Sequence, residues 1–473
     1  MRKWLPLVAI CLGTFVLLID VTIVNVALPD LARDLGTTFA SLQWVVDGYA
    51  LALAALLLGA GSLADLTGRR RLYVAGLVVF ATASLACGLA PSPGALVGAR
   101  LVQGVGAAAM LATTIALLNI AYRGRDLGTA FGVWGAVSGA AAATGPIVGG
   151  LLTEHLSWRW IFLVNLPVCL AAVVLTLAVV TDGPPRPGRL DLPGVTTFTA
   201  AAAAATYGFI RAGEAGWAEA RTLLSLGVAA VALVAFAAVE RRREHPMLDL
   251  RLLRTPSFAG VLAGGALLTF AAFAYLAYSS LWLQTVLGLS PVGAGLVFLP
   301  LSGAAFLVAA LTGRVLHGTS PRWTIGGGLV LIAAGAALQA TLDGGSTWRS
   351  LLPGLLVAGV GVGVATPSLA SAAMAAVPPQ LGGMAAGAMN TARQLGFAFG
   401  VALLGSVFAT RAGEPTGTRV PDAAAFAAGL DAVNLTAAAA GVVGAVVVLI
   451  ALRRTSSRAS SGANDPDRQP VAA

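Results

Sequence analysis

Charge is what this chain has least of: Asp, Glu, Lys and Arg make up 10% of its 473 residues, against 58% hydrophobic ones. Soluble domains carry roughly a quarter charged residues, so the composition excludes a water-facing globular surface. Lys3 is the sole lysine among 29 basic residues. The three histidines, His155, His245 and His317, fall at or beyond the ends of the expected helices, which excludes a buried histidine relay. Cys11, Cys87 and Cys169 lie in apolar runs without disulfide or metal spacing; they read as small buried hydrophobes. No metal site and no cofactor is expected. A nucleotide-binding loop is also missing, which argues against an ATP-driven machine.

What is present is length of apolar sequence. Runs of about twenty apolar residues span a bilayer core of about 30 Å as helices, and fourteen can be placed, at roughly 5–29, 41–64, 72–91, 94–119, 126–152, 160–181, 192–210, 222–239, 257–285, 291–312, 323–341, 350–373, 386–409 and 429–452. Arg2 and Lys3 before the first run imitate a signal peptide. That run continues to about Leu28 with no small-x-small cleavage site, so it is expected to stay as the first helix. With a cytoplasmic N-terminus, 20 of the 29 basic residues fall in cytoplasmic segments, seven outside, and two, Arg100 and Arg393, inside helices. This asymmetry is the positive-inside rule. The net charge of +9 therefore reports topology, and no nucleic-acid partner is expected. Both termini are expected to be cytoplasmic, and the polar tail 453–473 disordered.

Within these runs a few stretches depart from plain hydrophobicity. Trp134 to Leu152 holds Gly135, Gly139, Gly145, Pro146, Gly149 and Gly150. Spacings of three and four place Gly135, Gly139, Ala142, Pro146 and Gly149 on one nearly side-chain-free stripe, a surface on which two membrane helices approach closely. The proline is expected to bend the helix. Asp20 sits mid-run in helix 1, where an ionised carboxylate costs about 2.5–3.5 kcal/mol or more. It is either satisfied locally, by Thr22 for example, or is a group that takes up and releases a proton as its exposure changes. Arg100, two turns into helix 4, stays charged and needs a partner; Asp20 is the nearest by depth. Asp47 in helix 2 admits two readings, a third member of that cluster titrating with it, or a vestibule carboxylate attracting cations. Gly61-x-x-x-Asp65-x-x-Gly68-Arg69-Arg70 follows helix 2, and Arg123 and Arg125 in the next basic loop are candidate partners for Asp65. A faint echo, a glycine followed nine positions on by a basic residue, links Gly61/Arg70 with Gly313/Arg322 and suggests an internal repeat.

These residues together resemble the fourteen-helix drug:proton antiporter branch of the major facilitator superfamily. Gly145-Pro146-x-x-Gly149-Gly150 resembles its antiporter motif. Asp20, Thr22, Asn25, Ala27, Leu28 and Pro29 match its helix 1, with Ile19 for the usual leucine. Arg100, Gln103, Gly104 and Gly106 match its helix 4, and Gly61 to Arg70 its gating loop, with Leu66 where a basic residue is common. WRWIFLVNLP (Trp158 to Pro167) resembles the start of its helix 6, and SPVGAGLVFLP (Ser290 to Pro300) and Gly387 to Gly405 resemble its helices 10 and 13.

The resemblance implies an all-α polytopic membrane protein: a six-helix bundle at 1–181, an inserted helix pair with linkers at 182–256, and a second six-helix bundle at 257–452. It implies proton-coupled export of lipophilic drugs or antibiotics across a bacterial cytoplasmic membrane by a single chain. Asp20, Arg100 and Asp47 would serve proton coupling, and Gly61, Asp65, Gly68, Arg69 and Arg70 gating. For the substrate, an apolar cavity with aromatic and neutral polar groups points to Asn25, Trp44, Tyr49, Tyr275, Tyr278, Trp282, Gln284, Asn390 and Gln394. Gln394 beside Arg393 either lines that cavity or snorkels at the interface. A dedicated exporter of one self-made antibiotic is the neighbouring reading. A membrane enzyme or sensor is the distant one, disfavoured by short, chemically plain outer loops such as Leu342 to Ser350.

Overall fold

The computed structural model describes residues 2–36, 39–182, 191–243, 246–315, 319–412 and 423–453, and these are helical almost throughout, with no strand among them. In order they form α1 (Leu5–Asp34), α2 (Phe39–Thr67), α3 (Arg69–Gly88), α4 (Pro93–Ala121), α5 (Gly124–His155), α6 (Trp160–Leu163), α7 (Asn165–Val179), α8 (Leu192–Ala215) and α9 (Ala220–Glu240). There follow α10 (Leu250–Leu253), α11 (Pro256–Thr269), one π-helical turn (Phe270–Ala274), α12 (Leu276–Thr285), α13 (Pro291–Val297), α14 (Leu299–Val315), α15 (Pro321–Leu338), α16 (Leu352–Ala375), α17 (Gly382–Ala412) and α18 (Ala423–Ala451). His245, His317, the loop 184–189 and the tail beyond 453 lie outside the described residues.

Proline decides where two expected single helices break. Pro167 cannot donate to Leu163, where α6 ends, and Pro300 cannot donate to Leu296, near the end of α13. Helix α5 runs through position 146 as one helix of 32 residues. Twelve helical stretches among the described residues are long and apolar enough to cross a membrane. Two more, α5 and α8, are 32 and 24 residues long, about 48 and 36 Å at 1.5 Å per residue. Large apolar side chains face outward all around; α9 alone exposes Leu223, Leu224, Val228, Val231, Leu233 and Val234. Such a continuous apolar surface suits lipid rather than water.

The packing repeats itself. In the first set α1 packs on α5 and α7, α4 on α2 and α3, and α3 on α7; in the second α11 packs on α17 and α18, α16 on α14 and α15, and α15 on α18. The two seams between the sets, α2 on α17 and α5 on α14, exchange under the same correspondence. The glycine stripe of α5 is divided between two partners. A methyl group on Gly139 would touch Ser302 O of α14 at 3.5 Å, and one on Gly135 would touch Ala309 of α14 and Pro367 of α16; Gly145 and Gly149 press instead on Thr22 and Ile23 of α1. The upstream glycines serve the seam, and Gly145 and Gly149 of the antiporter-like motif bind α5 to its own set. Helix α8 lies against both α2 and α17.

Candidate functional site

Asp20 is fully buried midway along α1 and receives three donors from two other helices. Arg100 Nη1 of α4 stands 2.5 Å from Oδ2, Gln103 Nε2 donates to Oδ1 at 3.0 Å, and Asn165 Nδ2 at the start of α7 donates to Oδ1 at 2.8 Å. Ser84 of α3 ties the amides together, accepting from Gln103 at 2.8 Å and Asn165 at 3.3 Å. Arg100 also donates through Nε to Val45 O at 2.9 Å and through Nη1 to Gln103 Oε1 at 2.6 Å, with its guanidinium 4.2 Å from the Tyr49 ring centre. Thr22, the local alternative for Asp20, donates to Ile19 O instead. The sequence thus located the ion pair but not Ser84 or Asn165, whose signal was only a polar residue within an apolar run.

Asp47 is half-buried on α2. Val45 and Tyr49, one turn apart, form the face that meets Arg100, so Asp47 between them points away from it, about 200° around the helix from each. It shares a face instead with Gly61, fourteen residues and about 21 Å along, the face that meets α17.

At the end of the bundle carrying Arg69–Arg71 and Arg241–Arg243, here the basic end, Asp65 reaches across the seam. Its Oδ1 accepts Gly383 N–H at 2.8 Å and its Oδ2 accepts Met384 N–H at 2.9 Å, capping the first turn of α17. A carboxylate at a helix N-terminus answers unpaired amides and the helix dipole. Arg69 donates to Asp65 Oδ1 through Nε at 3.0 Å and Nη2 at 2.9 Å, and Nη2 reaches Gln380 O at 3.5 Å. Asp65 pairs with Arg69, then, and not with Arg123 or Arg125. Gly61 lies so close to Gly383 O that a side chain would collide with the backbone. Gly68 adopts φ 104° with Asp182 against its Cα, a position only glycine fills without strain. Arg70 continues this corner, its N–H on Asp182 Oδ1 at 3.1 Å and its Nη2 on Leu177 O at 2.6 Å. At the far end Asp34 accepts from Trp158 Nε1 at 2.8 Å and Arg159 Nη1 at 2.6 Å, and the arginine's hydrogen bond chiefly holds its carboxyl below the usual range. Gly150 lines a shallow cleft of about 380 Å³ there with Asp30, Arg33, Thr153 and Glu154.

The expected cavity residues divide, and four need correcting. Tyr49 is buried beneath Arg100; Tyr275 is fully buried and accepts from Gln339 Nε2 at 3.1 Å; Trp282 is buried in the core of the second set; Asn390 donates to Leu111 O of α4 at 3.2 Å. Packing between helices, invisible to residue type, takes these four out of any open cavity in this conformation. Trp44, Tyr278, Gln284 and Gln394 are half-buried. Trp44 stacks on Tyr207 of α8 at 5.8 Å, Tyr278 donates to Val401 O at 2.6 Å, and Gln284 donates to Ser280 at 2.9 Å. The side chains of Asn25 and Pro146 lie outside the described residues.

A family model described as Major Facilitator Superfamily matches residues 10–401. The chain belongs to that superfamily. Within it, the multidrug resistance protein Stp of Mycobacterium tuberculosis (strain ATCC 25618 / H37Rv) is 39% identical over 407 residues, covering 86% of this chain and 76% of Stp. The puromycin resistance protein pur8 of Streptomyces alboniger is 40% identical over 420 residues, 86% and 82% of the two chains. The tetracenomycin C resistance and export protein of Streptomyces glaucescens is 35% identical over 424 residues, 87% and 77%. The crystal structure of the human organic anion transporter MFSD10 superposes with a TM-score of 0.68 over 94% of this chain and 99% of that one; at 16% identity this speaks for the facilitator fold alone.

Proposed function

We propose that this facilitator is a proton-coupled antiporter that exports lipophilic drugs or antibiotics across a bacterial cytoplasmic membrane by alternating access. The observation that carries it is the fully buried Asp20–Arg100 pair in a chain whose relatives are named for drug resistance and export. In this reading α5 and α8 cross the bilayer with the other twelve stretches, giving fourteen spans. Both termini and the basic end are cytoplasmic, a bundle at 1–181 and one at 257–452 flank the inserted pair at 182–256, and one chain suffices.

Protonating Asp20 would neutralise its pair with Arg100. The neutral carboxyl keeps the amides of Gln103 and Asn165 as partners, while Arg100 stays on Val45 O, Gln103 and the Tyr49 ring. The contact so loosened joins α1 to α4 and, through Val45, to α2. Helix α2 then runs unbroken for about 30 Å to Asp65, which clamps the N-terminus of α17. The ion pair and the cytoplasmic clamp thus share one rigid element. Glycine-lined contacts of α2 on α17 and α5 on α14 would be the surfaces that part and slide. Asp47, on the seam-facing side of α2, is assigned here to the substrate path rather than to the pair.

Inside-out vesicles holding a respiration-driven pH gradient test this with a panel of lipophilic cations and neutral antibiotics. Some compounds are expected to collapse the gradient in the wild type and in Asp47→Asn for neutral compounds, and none in Asp20→Asn. Retention of full activity in Asp20→Asn would reject the assignment. A response to one compound class only would favour a dedicated exporter of a single antibiotic, the reading that the puromycin and tetracenomycin C relatives support by their names.

A further inference from the structure

At the basic end of the inserted pair α8 begins with Asp191 as its N-cap and α9 ends at Glu240. The two carboxylates are 6% and 4% exposed. Asp191 Oδ1 accepts Gly194 N–H at 3.0 Å and lies 3.5 Å from Arg243 Nε. Glu240 Oε2 accepts Leu248 N–H at 3.3 Å, tying the chain that leaves α9 back onto it. Met247 and Leu248 are buried in the apolar cluster that also holds Val180 and Phe236. The remaining oxygens, Asp191 Oδ2 and Glu240 Oε1, are buried without a hydrogen-bond donor. They stand 2.7 and 2.6 Å from the point that a Cβ on Gly194 would occupy, so they lie no farther apart than those distances combined.

The other charged groups around the pair are Arg243, on the Asp191 side, and Asp249, the N-cap of α10, which accepts from Arg251; among the described residues no cation pairs with Glu240. Two buried carboxylate oxygens this close together cannot both stay ionised without cost, because desolvation and mutual repulsion both favour the protonated form. Asp191 has an arginine and an amide to hold its charge; Glu240 has only backbone amide. We infer that Glu240 and Asp191 share one proton, carried on Glu240 Oε1 and donated to Asp191 Oδ2, forming a proton-binding site distinct from Asp20 that locks the joint between the inserted pair and the second set. Loss of that proton leaves two like charges in one apolar pocket. Relief comes from swinging Glu240 outward, which frees Leu248 N–H and draws Met247 and Leu248 from the core. The closed joint binds one proton more than the open one, so closure weakens as pH rises.

Two readouts on the full-length protein in lipid nanodiscs test this, and neither involves transport, so their failure is separable from failure of the export reading. Infrared difference spectra across a pH step should show a protonated-carboxyl band that Glu240→Gln and Asp191→Asn each remove or shift and Asp20→Asn leaves in place. Hydrogen-exchange protection of Leu248 should fall with rising pH by up to about tenfold per unit, the limit for one linked proton. In Glu240→Gln it should be flat, since the amide donates to Asp191 at every pH. A band insensitive to both substitutions, or an identical pH profile of protection in Glu240→Gln and wild type, overturns the inference. If one variant fails to fold, the other variant's band and the wild-type profile still decide it.

Discussion

Asp20 draws its donors from α4 and α7, and Ser84 of α3 braces those donors, so a single substitution there leaves partners stranded rather than merely absent. Removing one member of a buried ion pair typically costs about 3–5 kcal/mol, most of it the penalty of the charge left behind. Arg100→Gln should therefore destabilise the protein by that amount, and Asp20→Asn/Arg100→Gln should recover most of the loss because no orphan charge remains. The buried thiols of Cys11, Cys87 and Cys169 report unfolding to a thiol-reactive dye during a thermal ramp. Equal destabilisation by the single and double variants would show that Arg100 matters for packing and not for Asp20. This pair was legible in the sequence because ionised groups in apolar runs are conspicuous and their depths agree. The side to which Asp47 points was not, since helix rotation is fixed by packing, here by Val45 and Tyr49 meeting Arg100.

Helices inherit the same logic as surfaces. The small residues of α5 were readable from spacing, but their division between α14 and α1 was not, because a stripe shows where backbones can approach and not which backbone arrives. Positions along the seams should differ accordingly. On α2, Gly61→Ala drives a methyl group into Gly383 O, whereas on α5 Gly135→Ala finds its nearest neighbour, Pro367 Cγ, at an ordinary 3.4 Å. Overpacking costs about 1–3 kcal/mol, and here separation of α2 from α17 relieves it. Hydrogen exchange at Gly383 and Met384, whose amides Asp65 holds, should rise several-fold in Gly61→Ala and stay unchanged in Gly135→Ala. Equal behaviour of the two variants would mean that the close approach at Gly61 does not govern the clamp.

Across the whole molecule α8 occupies a place that neither the apolar runs nor the family motifs disclosed. Helix α8 bridges the seam, stacking Tyr207 on Trp44 of α2, setting Phe209 tilted against Phe399 of α17, and joining Trp217 of the following turn to Ser406 of α17 at 2.6 Å. Its contacts are made of tertiary placement alone, which explains why its helix could be read from the sequence while its seat could not be foreseen. Two backbone approaches make the bridge testable. A Cβ on Gly59 would lie 3.2 Å from Val195 Cγ1, within range of a disulfide after substitution by cysteine, and one on Gly213 would lie 3.6 Å from Ala402 Cα, close enough for a short bis-methanethiosulfonate linker between cysteines. If the two sets rock about the seam, α8 can travel with either but not with both. Gly59→Cys/Val195→Cys combined with Gly213→Cys/Ala402→Cys should abolish vesicle transport on cross-linking with a bis-methanethiosulfonate and regain it on reduction, while at least one pair by itself leaves most transport intact. Wild-type transport by the doubly bridged protein would show that α2 and α17 do not move apart past α8, and alternating access would then have to be sought at the α5–α14 seam.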